Sequence, residues 1–189
     1  YTSKILKKFK KKNLHHLVRK KKRDLSKSCI DGFKKAKYKD IVVMDGDLQH
    51  KPSDLKKIFN IFYKYNSDVV VGTRDLFADK EHNLNFLRLI ASRTLILTVN
   101  ILLGRKTSDP MSGFFMFKKK LFIKSQEKLV KKGYKILLDL LYVKDQKIKV
   151  IDVNINFDSR MKGRSKMSLK ILFNLVYMIL NKFVSEKVL

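Results

Sequence analysis

The segment Met44-Asp45-Gly46-Asp47-Leu48-Gln49-His50 carries the residues in this chain best suited to chemistry. Two carboxylates sit two apart, directly after the apolar run Ile41-Val42-Val43-Met44. A short continuous apolar run reads as a strand buried on both faces. In α/β proteins the carboxyl ends of such parallel strands are where ligands bind. If the chain is still extended there, Asp45 and Asp47 project to the same side. Hard oxygen donors of this kind suit Mg2+ or Mn2+, ions that share their shell with substrate phosphates. The blander alternative is an Asp-Gly turn that caps the next helix.

Three known chemistries begin with carboxylates at this spacing. A calcium EF-hand loop wants Gly at its sixth position and Glu at its twelfth. Here those positions hold His50 and Lys56, so that reading fails. An aspartyl-phosphate phosphatase would use the first carboxylate, Asp45, as nucleophile. It would carry Thr or Val where this chain has Gln49. A nucleotide-sugar transferase would use the pair to hold the metal that bridges a diphosphate.

The elements that must position these residues are legible from periodicity. Ser53 offers an N-cap, and Leu55, Ile58, Phe59 and Phe62 form a helical stripe. Asp68 to Gly72 reads as a second buried strand, so strand, helix and strand make a βαβ unit in a sheet that is at least partly parallel. Upstream, Ser3 to Lys12 predicts a helix and Leu14 to Val18 a short strand. Ser26 to Ala36 predicts a helix with Cys29, Ile30 and Phe33 inward. Downstream, a long apolar helix runs from Asn85 to Leu103, with a strand after it over Phe114 to Phe117. Helices over Leu121 to Lys131 and Lys135 to Tyr142 come next. An alternating strand over Ile148 to Phe157 and an apolar helix over Ser168 to Phe183 complete the chain. A free membrane span of ~20 residues rarely tolerates two arginines, and the 85–103 helix holds Arg88 and Arg93. That helix belongs in the core or in the membrane interface. The apolar run of the last helix is about half a span long.

Composition bounds the class. The chain has 189 residues, which suits one domain. Lys+Arg number 44 against 17 Asp+Glu, a formal charge of +27, which attracts polyanions: nucleic acid, anionic lipid head groups or phosphorylated substrates. An AT-biased genome also yields lysine-rich sequence, so charge alone supports nucleic-acid binding weakly. Hydrophobic residues make up 44%, which excludes wholesale disorder. Cys29 is the only cysteine, which excludes a disulfide scaffold and points to a reducing, intracellular location. No apolar signal segment comes after Tyr1.

Several segments, in order, resemble glycosyltransferase family 2, in the branch that charges a polyprenyl phosphate with a sugar. They are Arg23-Asp24-Leu25-Ser26-Lys27 with Gly32-Phe33 and Ala36, then Val42 through Pro52, then Val70-Val71-Gly72-Thr73-Arg74. Arg88, Ser92 and Asn100 come next, then Ser108-Asp109-Pro110-Met111-Ser112-Gly113-Phe114-Phe115. The last are Gly133 to Asp139, and Phe157 with Arg160, Gly163, Ser165 and Lys166. One such motif is weak evidence, whereas the ordered set covers nearly the whole chain.

The resemblance implies a GT-A fold, a Rossmann-like, mostly parallel α/β sheet flanked by helices. It implies a catalytic domain over 1–167 and an apolar C-terminal helix over 168–189, at a membrane interface or leading into a membrane region. The implied reaction is metal-assisted, inverting transfer of a sugar, mannose from GDP-mannose first, onto a dolichyl or polyprenyl phosphate. Asp45, Asp47 and Gln49 would hold Mg2+ or Mn2+ on the donor diphosphate. Arg88, Arg160 and Lys166 would bind the phosphates of donor and acceptor, with Asp47 also counted as catalytic. Arg74, Asp109 and Ser165 fall in substrate-binding motifs. Partners would be a nucleotide sugar, a polyprenyl phosphate and a membrane surface, on the cytoplasmic face, peripheral or anchored by segments outside this chain. No nucleic-acid partner is expected.

The sequence also departs from the family. Its usual opening strand with a Pro-x-Tyr-Asn-Glu type turn, and its second strand ending in Asp-Asp, do not occur here. Thr2-Ser3-Lys4-Ile5 resembles the segment just downstream of that second motif, so a βαβ unit of ~30 or more residues is expected upstream. Asp139 stands where the family commonly has Glu.

An acceptor phosphate with a second pKa near ~6 is substantially dianionic at neutral pH and needs no general base. His15, His16 and His82 lie in charged stretches away from that task. The competing readings are a family 2 enzyme with a UDP-sugar donor or a soluble or saccharide acceptor, a phosphatase with Asp45 as nucleophile, and a basic nucleic-acid-binding domain. The last lacks a helix-turn-helix pattern or an aromatic-interleaved basic surface.

Overall fold

A computed structural model describes residues 2–6, 8–9, 11–20, 24–74, 86–144, 146–156 and 169–187. In chain order the elements are α1 (Thr2–Leu6), α2 (Leu25–Lys35), β1 (Asp40–Val43), α3 (Asp54–Lys64), β2 (Val69–Thr73) and α4 (Phe86–Leu103). Then come β3 (Phe115–Lys118), α5 (Lys119–Ser125), α6 (Ile136–Leu141), β4 (Val150–Asn154) and α7 (Leu169–Lys187). The four strands form one sheet in the order β1-β3-β2-β4.

The predicted βαβ unit is present, with a difference. Strands β1 and β2 run the same way, joined by α3, but they are not neighbours. Strand β3 lies between them, antiparallel to both, and β4 pairs parallel to β2. Three strands therefore share one direction, and the one inserted from later in the chain opposes them.

Alternation sets the two faces. Val69 and Val71 of β2, with Phe115 and Phe117 of β3, point into the larger core, which α2 and α4–α7 also line. Val70 and Met116 point to the other face, where Ile58 and Phe62 of α3 meet Phe114, Val153 and Ile155. Every residue of β2 is buried, as a strand covered on both faces requires. Strand β1 departs from that expectation: Ile41 is buried, but Val42 is exposed. Helix α3 packs chiefly over β2, β3 and β4 and reaches β1 through Tyr63, whose hydroxyl donates to Asp40 Oδ2 at 2.7 Å, while Val42 lies on the outer strand of the described sheet.

Local expectations are met unevenly. Ile30 and Phe33 of α2 are buried and Cys29 packs against the same core. Asp24 caps α2, its carboxylate accepting the Lys27 N–H at 2.9 Å. Ser53 precedes α3 but makes no side-chain cap bond, because its backbone is already helical and the entry turn closes through Asp54 N–H to Lys51 O. Within the stripe, Ile58 and Phe62 face the core while Leu55 and Phe59 face outward. No strand forms over Leu14 to Val18, and the first helix ends at Leu6. Helix α5 stops at Ser125, whose hydroxyl donates back to Leu121 O, rather than continuing to Lys131. Of the long strand expected over 148–157, Val150 to Asn154 pair with β2 among the described residues, and Phe157 lies outside them.

Helices α4 and α7 pack against each other. Ile96, Val99 and Leu103 of α4 and Leu175, Met178 and Ile179 of α7 enter the core, while Leu97, Ile101, Phe173, Tyr177 and Leu180 are exposed. Among the described residues no helix is long and apolar enough to cross a membrane. A buried ion pair fixes α7: Lys182 Nζ lies 2.8 Å from Asp139 Oδ1. It also donates to the Asp139 and Lys128 carbonyls at 3.1 and 3.3 Å.

Candidate active site

The site forms where β1 ends. Asp45 is exposed, Asp47 half-buried, and Gln49 and His50 are buried. The turn has a physical cause. Asp47 Oδ1 accepts the Gln49 backbone N–H at 3.3 Å, closing an Asx turn. Leu48 between them takes a left-handed conformation, φ 63°, with its side chain in solvent. A non-glycine residue in that region costs about 1–2 kcal/mol. The reversal leaves the two carboxylates outward and folds Gln49 and His50 inward.

The second part of the site is the loop from Thr107 to Phe114, fastened from several directions. Thr107 Oγ1 and the Ser108 N–H donate to the Asp152 carboxylate of β4 at 2.5 and 2.7 Å. Ser112 Oγ donates to Gly72 O of β2 at 2.6 Å and accepts the Phe114 N–H at 3.1 Å. Lys135 Nζ donates to Met111 O at 3.0 Å. Within this loop Asp109 is fully buried and receives Arg74 in a fork: Nε to Oδ2 at 2.7 Å and Nη2 to Oδ1 at 3.1 Å. Asp109 Oδ1 also accepts the Met111 N–H at 3.2 Å. A bidentate guanidinium–carboxylate pair fixes orientation as well as charge.

The two parts meet around His50 and Asp45. The His50 ring packs on Phe114 with centroids 5.2 Å apart. Burial pushes the imidazole below its ordinary range; the charges of Asp45, Asp47 and Asp109 oppose that shift and Arg74 adds to it. Asp45, Asp47, Arg74 and Asp109 therefore all bear on one ring. Asp45 also leans against Gly113 of the loop, where a Cβ would lie 2.6 Å from its Cγ. The Asp45 charge also reaches Cys29 of α2, whose thiol is pushed up to about 11, first by burial and then by the Asp45 and Asp24 charges.

The chemistry of the donor set fits a divalent ion. Two carboxylates and one amide are hard oxygen donors at an open strand end, which suits Mg2+ or Mn2+. Among the described residues no three His, Cys, Asp or Glu side chains converge into a complete shell. The remaining positions would fall to substrate phosphate and water, the usual arrangement for Mg2+.

Of the residues expected in the site, the structure brings together Asp45, Asp47, Gln49, Arg74 and Asp109. Arg88 lies on α4, with its side chain outside the described residues. Arg160, Ser165, Lys166 and also His82 lie outside the described residues.

The profile of Glycosyl transferase family 2 matches residues 1–125. The chain belongs to this glycosyltransferase family. Curated relatives include proteins named dolichol-phosphate mannosyltransferase. That of Pyrococcus furiosus is 36% identical over 157 residues, 82% of this chain and 44% of the relative. That of Saccharomyces cerevisiae is 30% identical over 180 residues, 91% of this chain and 65% of the relative. The chain thus spans about half the length of the curated relatives it matches. Among solved structures, glucosyl-3-phosphoglycerate synthase of Mycobacterium tuberculosis, in complex with Mn2+, UDP-glucose and glycerol 3-phosphate, aligns with TM-score 0.60 at 14% identity. It covers 87% of this chain and 55% of that one. A likeness at that identity carries the fold alone: the glycosyltransferase sheet is of the GT-A type.

Sequence reasoning did not single out three residues of this candidate site. His50 is the buried ring on which the site's charges converge. Gly113 is the surface against which Asp45 rests. Asp152 ties the loop to β4. His50 and Gly113 lie inside the family motifs, so their spacing was available. Asp152 carried no local signal, because its partners are 44 and 45 positions away.

Proposed function

We propose that this chain is the catalytic part of a transferase that moves a sugar from a nucleotide sugar onto a polyprenyl phosphate, with GDP-mannose the first donor to test. The observation that carries the reading is the Asp45-Asp47-Gln49 turn at the carboxyl end of β1, set against the Arg74–Asp109 loop. The name shared by the relatives, dolichol-phosphate mannosyltransferase, supports mannose as the sugar and dolichol phosphate as the acceptor.

In this reading Asp45, Asp47 and Gln49 hold Mg2+ or Mn2+. When bound, the ion supplies Lewis-acid neutralisation of the leaving diphosphate. Arg74, only 17% exposed and clamped by a fully buried Asp109, presents a fixed cationic edge to the substrate phosphates. Asp109 acts through that arginine, its carboxylate being enclosed. Arg88, Arg160, Ser165 and Lys166 complete the phosphate contacts. The acceptor phosphate, dianionic at neutral pH, attacks the anomeric carbon in line and inverts it without a general base. The exposed apolar residues of α4 and α7 rest on the membrane that holds the acceptor, aided by the net charge of +27.

The test is transfer of labelled sugar to polyprenyl phosphate by membranes expressing the full-length protein. GDP- and UDP-sugars are compared, with Mn2+ or EDTA. The expected result is metal-dependent label in the lipid phase, abolished by Asp47→Ala. Label in a water-soluble product instead would assign a soluble acceptor. Equal transfer in EDTA and in the variant would sink the assignment of the carboxylates.

A further inference from the structure

The described glycines divide by what a side chain would meet. Gly32 and Gly46 face open space, and Gly104 and Gly133 have φ of +75° and +97°, where any side chain is strained. At Gly72 a Cβ would strike Ile155 Cδ1, Phe114 O and Ile58 Cδ1, so that glycine permits close packing between strand and helix. Gly113 fits neither class. Its φ is not left-handed, so alanine costs no backbone strain there. The three atoms nearest its absent Cβ all belong to Asp45: Oδ2, Cγ and Oδ1. Space at Gly113 is thus reserved for one functional carboxylate.

We propose that Gly113 is a positioning residue of the transfer reaction, a bare stretch of backbone against which the Asp45 carboxylate is seated to receive the divalent ion. The inference rests on the reading of Asp45 as a metal ligand. Its physical basis is the rigidity of the loop that carries Gly113. Ser112 is bonded to β2, Thr107 and Ser108 to β4, Met111 to Lys135, and Asp109 to Arg74. Asp45 is exposed and its carboxylate can turn about its side-chain bonds, whereas Gly113 is backbone within the fastened loop. The stiffer partner sets the position of the softer one. A methyl group at 113 cannot push that loop aside, so the carboxylate must move. Residues that orient a metal ligand typically alter metal affinity 10–100-fold when changed.

The experiment uses the full-length protein and two readouts. Mn2+ binding is titrated by the loss of the free-ion electron paramagnetic resonance signal, with Mn2+ alone and with Mn2+ plus GDP. Thermal unfolding is measured without metal for Gly113→Ala, Asp45→Ala and the double variant. We expect Gly113→Ala to weaken Mn2+ about 10–100-fold. We also expect it to lower Tm in the parent and to leave Tm unchanged or higher once Asp45→Ala has removed the carboxylate. If Gly113→Ala alone fails to fold, folding of the double variant bears out the contact, and failure of both overturns it. Unchanged affinity for Mn2+ alone with weakened affinity in the presence of GDP would assign Gly113 to donor space and refute the proposal. A parent that binds no Mn2+ refutes the metal reading and this inference with it. A parent that binds Mn2+ as well as its Gly113→Ala variant refutes this inference alone.

Discussion

Removing the carboxylate of Asp139 should undock the C-terminal helix from the glycosyltransferase core. Asp139 and Lys182 are 0% and 3% exposed, and their charged atoms are 2.8 Å apart. The same carboxylate accepts the Val130 and Lys131 N–H groups at 2.9 and 3.0 Å. Asp139→Ala therefore leaves a buried ammonium without its counter-charge at position 139, and strands two backbone donors. Breaking one side of a buried pair costs about 3–5 kcal/mol. For a chain of this size that is about 6–20 °C in Tm. Lys182→Met, which keeps the apolar stem, should cost less, because Asp139 retains its two backbone donors. The double variant Asp139→Asn/Lys182→Met should be less destabilised than the sum of its single changes. Calorimetry gives the Tm values, and amide exchange over 173–184 shows whether α7 is what loosens. A Tm loss below about 2 °C for Asp139→Ala, or strict additivity in the double variant, would refute the reasoning that the pair pins the helix.

Other outcomes rest on the same geometry. Burial pushes the Asp68 carboxyl up, but the Lys149 N–H and the Lys118 and Lys120 ammoniums outweigh it and hold the group below the usual range. A depressed carboxylate contributes stability above its unfolded value and loses it as pH falls through the folded one. The Tm gap between parent and Asp68→Asn should therefore shrink from about pH 5 towards about pH 2; a constant gap would contradict the assignment. With its thiol pushed up to about 11, Cys29 should react with iodoacetamide at pH 8 about two orders of magnitude more slowly than a free cysteine. Asp45→Ala should speed that reaction, and a free-thiol rate in the parent would contradict the burial. Arg74→Lys should replace a two-point fork by a point contact, leave the buried Asp109 underbonded, and cost about 1–3 kcal/mol together with a loss of transfer. Unchanged Tm and transfer would remove Arg74 from the site.

Local pattern carried much of this protein. The apolar runs at 41–44 and 69–72 marked β1 and β2, because a strand covered by helices excludes polar residues from both faces. Ile58 and Phe62, four apart, marked the inward face of α3, because one helical turn returns a side chain to the same side. The Asp45–Asp47 pair suggested hard-ion chemistry by residue type alone, and its place after an apolar run located it at the carboxyl end of β1. What pattern could not carry was partner identity. Alternation in Phe115, Met116 and Phe117 states which faces are apolar, not that this strand enters between β1 and β2 in the opposite sense. The exposure of Val42 came from that placement, since β1 is the outer strand of the described sheet and α3 packs chiefly over β2, β3 and β4. Arg74 and Asp109 were visible as motif residues, but their fork joins positions 35 apart, and Asp139 meets Lys182 across 43. Gly113 was one letter in a motif until the fold laid Asp45 across it. Periodicity records how each residue is solvated, a local property of the chain. Which buried charge meets which, and which glycine must stay bare, depends on contacts between distant segments, and only the packed tertiary structure decides those.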